Sequence, residues 1–147
     1  MDISAILSEE MVFPRIEVET KRQFFKKAAE IVASFAKLDE NKVFEALWER
    51  ENLGTTGYGD GVAVPHARIS GVDKVIAVFM RLNKAIDFEA HDGKDVDLLA
   101  VIVTPEQSGE DHLKALSMFS SVLRNENART KLRQAKNAHE IYSILNQ

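Results

Sequence analysis

Residues 50–68 read Arg-Glu-Asn-Leu-Gly-Thr-Thr-Gly-Tyr-Gly-Asp-Gly-Val-Ala-Val-Pro-His-Ala-Arg, and they carry the residue types that phosphoryl chemistry needs. Gly54, Gly57, Gly59 and Gly61 are four of the chain's seven glycines. Such a loop lets backbone amides approach an anion, since no side chain blocks the way. The apolar run 62–64 reads as a strand, and Pro65 turns the chain stiffly into His66. A neutral imidazole is a competent nucleophile near pH 7, its unperturbed pKa being about 6.5. Attack on a phosphorylated donor would form a phosphohistidine. The transferring group carries charge on its equatorial oxygens, so positioning and charge stabilisation dominate catalysis. A second imidazole, a guanidinium and glycine-loop amides would supply that stabilisation, with no metal and no cofactor.

The guanidinium is Arg50. Asp39 can cap a helix over 40–51, in which Val43, Leu47 and Arg50 follow at i, i+4 and i+7. Arg50 thus continues an inward stripe and needs a counter-charge. An internal salt bridge, with Asp60 one candidate, and an anion clamp beside the glycine loop are both open. The second imidazole is His112, in the first turn or so of a helix capped by Ser108 that follows an apolar strand. Ligands of open α/β sheets collect at the carboxyl ends of strands, and helix N-termini favour anions. His91 and His139 have no such setting and read as ordinary surface residues.

The elements that must hold these groups follow from the pattern. Residues 75–80 and 98–103 are nearly continuous apolar runs, the mark of strands covered on both faces. Residues 1–10 suggest a short helix, 12–18 a strand in which Pro14 points to an edge position or a strand start, and 85–89 another short strand. Thr20 and Gln23 fit a capping box for a helix with Phe24, Ala28, Ile31, Val32 and Phe35 inward; Lys21, Arg22, Lys26 and Lys27 read as its solvated face. The helix at 109–123 would turn Leu113, Leu116, Phe119 and Leu123 to the core. Helices at 128–135 and after Asn137 close the chain. The expectation is one α/β domain over 1–147, a mixed central sheet with helices on both faces.

Composition narrows the function. The formal net charge of −4 lacks the basic footprint of a nucleic-acid binder, and the absence of cysteine excludes thiolate chemistry and disulfides. No secretory leader and no membrane-length apolar run is visible, which leads to expect a cytoplasmic protein with no membrane insertion. A metal hydrolase built on His66 and His112 lacks a local H-x-x-x-H spacing and a third ligand. A non-covalent anion-binding module is the other rival.

Taken whole, the stretch resembles the active-site segment of the phosphotransferase-system IIA proteins of the fructose/mannitol type. Glu51, Gly59 and Val62-Ala63-Val64-Pro65-His66-Ala67 match its slots; Tyr58 stands where an aliphatic residue or Phe is usual. The resemblance implies a phosphoryl relay in which His66 accepts phosphate from the phosphohistidine of HPr or a similar carrier, with His112 and Arg50 stabilising the group. Arg-Glu-x-x-Gly-Thr-Thr-Gly on a chain without an attached IIB looks more like the nitrogen-regulatory IIA proteins, which act on target proteins according to phosphorylation state. A sugar-transport IIA donating to a separate IIB is the alternative.

Overall fold

The computed structural model describes residues 2–147. At its centre β5 (Ile76–Ile86) and β6 (Val96–Thr104) pair antiparallel. Their apolar runs are buried without alternation, so both faces are covered. β1 (Val12–Ile16) adds in parallel to β5 at one edge, where Pro14 interrupts no interior ladder. Beyond β6 lie β3 (Val62–Ala63) and β4 (His66–Arg68), both parallel to it, and β2 (Gly57–Gly59), antiparallel to β3. The result is one mixed sheet of six strands. α2 (Lys21–Ala36) packs against α3 (Glu40–Leu53), while α1 (Ile3–Ile6), α4 (Glu110–Leu123), α5 (Glu126–Gln134) and α6 (Ala138–Leu145) pack as a second group. This is the α/β architecture that the apolar runs imply.

Three local differences from the sequence reading have physical causes. Residues 85–89 form no separate strand: Ala85 and Ile86 end a longer β5, and Phe88 turns fully into the core. There it stacks on Phe25, with ring centroids 5.8 Å apart. The cluster 21–27 is not wholly solvated. Lys21 reaches over Phe88 to a buried carboxylate, and Arg22 lies over the Phe44 and Trp48 rings. Phe24, Ala28 and Val32 are buried as expected, but Phe35 is 46% exposed, because the rest of the buried face of α2 runs through Phe25, Ala29 and Ala33.

The glycines shape a hairpin. Asp60 and Gly61 sit at φ 59° and 80°, the two positive values that a tight two-residue turn between β2 and β3 requires. A Cβ at Gly57 would stand 2.8 Å from that of Ala90. The glycine-rich loop therefore allows close packing here.

β3 and β4 are one extended segment. Val62 pairs with Leu98, Ala63 with Leu99, His66 with Ile102 and Arg68 with Thr104, a constant register. Pro65 has no amide hydrogen to give, but its carbonyl still accepts from the Ile102 amide at 2.9 Å. So Pro65 interrupts the ladder without ending the strand, and His66 lies within it, not just past its end.

The end of α3 is tied to the following loop by Glu51, which is 3% exposed. Its carboxylate accepts from the Thr56 amide at 3.0 and 3.2 Å, from the Thr56 hydroxyl at 2.6 Å and from Lys21 Nζ at 3.0 Å. Glu51→Ala would leave the Thr56 amide buried without a partner and the mostly buried Lys21 ammonium without a counter-charge. A loss of about 3–5 kcal/mol is expected, read as a lower urea midpoint at unchanged m-value; Glu51→Gln, which keeps an acceptor for Thr56, should lose less.

Candidate functional site

Register partners in parallel strands point to the same face. His66, Arg68, Ile102 and Thr104 therefore share one face at the carboxyl ends of β4 and β6. α4 begins over that face, and the Thr104 hydroxyl lies 2.6 Å from His112 Nδ1. This contact sets the rotation of α4. The buried stripe of the helix is His112, Ala115, Phe119 and Leu123, so His112 takes the inward place expected of Leu113, which is 64% exposed. Ser108 does not cap the helix. Gly109 is the N-cap residue, without a side-chain hydrogen bond, and the Ser108 hydroxyl is buried with no partner.

The His66 and His112 rings meet edge to face, centroids 5.3 Å apart. His66 Nδ1 lies 2.9 Å from the Val64 carbonyl. A carbonyl only accepts, so Nδ1 carries the proton and Nε2 of the neutral ring holds a free lone pair. Burial pushes the His66 pKa below its ordinary value, against the Val64 hydrogen bond, and Arg50 adds to the lowering. His112, 4% exposed, is driven down to about 4, first by burial, then by the positive charge of Arg68, by His66 when that ring is protonated, and by Arg50. Both imidazoles are thus neutral at pH 7.

Arg50 reaches the same place from the last turns of α3, and its Nη1 donates to the Gly54 carbonyl at 2.9 Å. No carboxylate pairs with it among the described residues. The Asp60 carboxylate instead lies 3.9 Å from Arg129, at the hairpin turn. Arg50, His66, Arg68 and His112 line a cleft of about 660 Å³ with Ala46, Glu49, Asn52, Leu53 and Ala67. No glycine is among the residues that line it; Gly54 lies behind Arg50, whose guanidinium its carbonyl accepts from. His91 is exposed and His139 pairs with Glu9 at 2.7 Å; neither lines the cleft. Among the described residues no group of three histidine or acidic side chains is placed to hold a metal ion.

Two residues of the site escaped the sequence reading. Arg68 stands two positions after His66, the spacing that puts side chains on one face of a strand. That signal was in the sequence. Thr104 lies just past the apolar run 98–103, and its role depends on the approach of α4.

The same fold with 34% sequence identity is found in the crystal structure of the nitrogen regulatory protein IIA-Ntr from Neisseria meningitidis, at a TM-score of 0.93 over 97% of this chain and 98% of that one. A nitrogen regulatory protein of Bradyrhizobium diazoefficiens is 40% identical over 145 residues, 99% of this chain and 95% of the relative. A nitrogen regulatory protein homolog of Haemophilus influenzae is 38% identical, covering 98% and 90%. Residues 5–147 match the model of the family described as phosphoenolpyruvate-dependent sugar phosphotransferase system, EIIA 2, and the chain belongs to that family.

The buried neutral His112 links folding to pH. Its folded pKa lies below the unfolded one, so the unfolded chain binds the extra proton first. The stabilising preference is complete above about pH 6.5 and is lost as pH falls towards about 4. His112→Asn should flatten the decline of unfolding free energy over that window relative to wild type, by roughly 3 kcal/mol at its foot. Parallel wild-type and variant curves in urea titrations at several pH values would contradict it.

Proposed function

We propose that this chain is a phosphoryl-relay protein which accepts phosphate on His66 Nε2 from the phosphohistidine of HPr or an HPr-like carrier. The observation that carries this is the 2.9 Å contact between His66 Nδ1 and the Val64 carbonyl at a cationic cleft. It leaves Nε2 as the unprotonated nitrogen. In the transfer the N–P bond of the carrier breaks as the His66 Nε2–P bond forms, and the electron pair returns to the carrier's imidazole. Neither ring needs to hand a proton to the other if each keeps its own N–H.

The surrounding groups act on the charge of the transferring phosphoryl. Arg50, held by the Gly54 carbonyl, is a fixed cation beside it. The Thr104 hydroxyl shares a 2.6 Å hydrogen bond with His112 Nδ1; with the hydroxyl as its donor, His112 keeps its hydrogen on Nε2 and offers it towards the cleft. The depressed pKa of His112 keeps it a neutral hydrogen-bond donor, which does not hold the phosphoryl so tightly that onward release fails. Leu53, 86% exposed on the cleft wall, and Leu113 offer apolar surface to a docking protein carrier.

Within the family we favour the nitrogen-regulatory role, in which target proteins are bound according to the phosphorylation state of His66. The names of the relatives at 38% and 40% identity support it. Onward donation to a separate IIB, as in sugar transport, is the weaker reading. No described helix is long and apolar enough to cross a membrane, in keeping with action among soluble proteins in the cytoplasm.

Intact-mass measurement after incubation with phosphoenolpyruvate, the first enzyme of the system and an HPr-like carrier tests the site. Wild type should gain one acid-labile phosphoryl group and His66→Ala none. Arg50→Gln should still be labelled, with an initial rate lower by about 10²-fold. No adduct on wild type with any such carrier would favour the anion-binding module.

A further inference from the structure

The cleft holds two guanidiniums of unlike standing. Arg50 is half-buried and tethered to the Gly54 carbonyl. Arg68 is exposed, lines the same cleft, and makes no hydrogen bond or ion pair among the described residues. That is unusual in this molecule, where every other arginine except Arg124 has a polar or aromatic partner. The ladder explains where Arg68 points. It stands two residues after His66 in one extended segment, its register partner being Thr104, the residue that holds His112. Two residues of strand span about 6.6 Å, within reach of an arginine side chain. A group on His66 Nε2 would thus have Arg50 fixed on the α3 side and Arg68 free on the strand side.

We infer that Arg68 is the movable half of the phosphoryl clamp: free in the unmodified protein, it folds onto the phosphoryl group carried by His66 and is thereby withdrawn from the surface that a partner meets. This rests on the relay reading above. The gain is a charge-assisted, bidentate contact with phosphoryl oxygens, which the guanidinium fork matches. The cost is the rotamer freedom of a long side chain, which is still unspent in the unmodified state because nothing holds Arg68. The field of Arg68 already reaches both imidazoles and lowers the pKa of each. Before transfer the cleft would present an unpaired cation suited to an acidic side chain of a target. After transfer the same cation is neutralised in place. Arg68 would so couple covalent state to surface charge without any movement of the fold.

The test uses the full-length ¹⁵N-labelled chain, unmodified and phosphorylated by phosphoenolpyruvate, the first enzyme and an HPr-like carrier. The Arg68 Nε–H signal is identified by its loss in Arg68→Gln, and its ¹⁵N relaxation is compared in the two states with that of Arg124. The equilibrium constant for phosphoryl exchange with the carrier is measured on wild type, Arg68→Gln, Arg68→Lys and Arg124→Gln. Arg68 should shift and become ordered on phosphorylation while Arg124 does not. Arg68→Gln should move the equilibrium towards the phosphorylated carrier by about tenfold, Arg68→Lys by less, and Arg124→Gln not at all. A phosphorylated wild type with a mobile Arg68 and an unchanged constant in Arg68→Gln would overturn this inference and leave the relay standing. No phosphorylation of wild type would overturn both.

Discussion

The hydrogen bond between His66 Nδ1 and the Val64 carbonyl is the contact on which the rest of the site depends. It fixes the ring orientation and the tautomer, and therefore which nitrogen can act as a nucleophile. Pro65 between them makes this geometry stiff, since its ring restricts φ and the preceding residue to extended conformations. The ladder to β6 continues through the proline in unchanged register. The ring is thus mounted on a strand paired with the central β6, not on a mobile loop, and side chains on rigid elements hold their positions best.

The same sheet brings the other groups to it. Register places Arg68 beside Thr104, Thr104 turns His112 into the cleft, and α3 delivers Arg50 from the side. The cleft has two cations that are not neutralised by a carboxylate and two imidazoles kept neutral by burial and by those cations. Such an arrangement suits an incoming dianion and an unprotonated nucleophile at once. In the proposed relay a protonated His66 could not attack, and a cationic His112 would bind the product more tightly than a relay can use. Electrostatics and burial thus act in the same direction.

The apolar runs around Val78 and Val101 made the inner strands legible, and the position of Pro14 made the edge strand legible, because both patterns report burial directly. His66 and Arg50 stood out by residue type and helical spacing. What was not legible depends on contacts distant in sequence. Arg50 continued an apolar stripe, but periodicity could not tell a salt bridge from an open cleft. The glycines promised phosphate contacts; they serve a tight hairpin against Ala90 and at Asp60–Gly61. On α4 Phe119 and Leu123 are buried as the spacing implies and Leu116 packs against the core, but at the start of the helix His112, bonded to Thr104, faces inward in place of Leu113. The burial of Phe88 and the exposure of Phe35 were not legible either, because the core around Phe25 and Trp48 is assembled across three elements.

The most direct measurement is a long-range ¹H–¹⁵N correlation spectrum of the histidine side chains in the unmodified protein near pH 7.5. His66 should show a protonated Nδ1 and an unprotonated Nε2, assigned by comparison with His66→Ala. A His66 ring protonated at Nε2, or averaging between both tautomers, would contradict the central claim that Val64 presents Nε2 as the nucleophile.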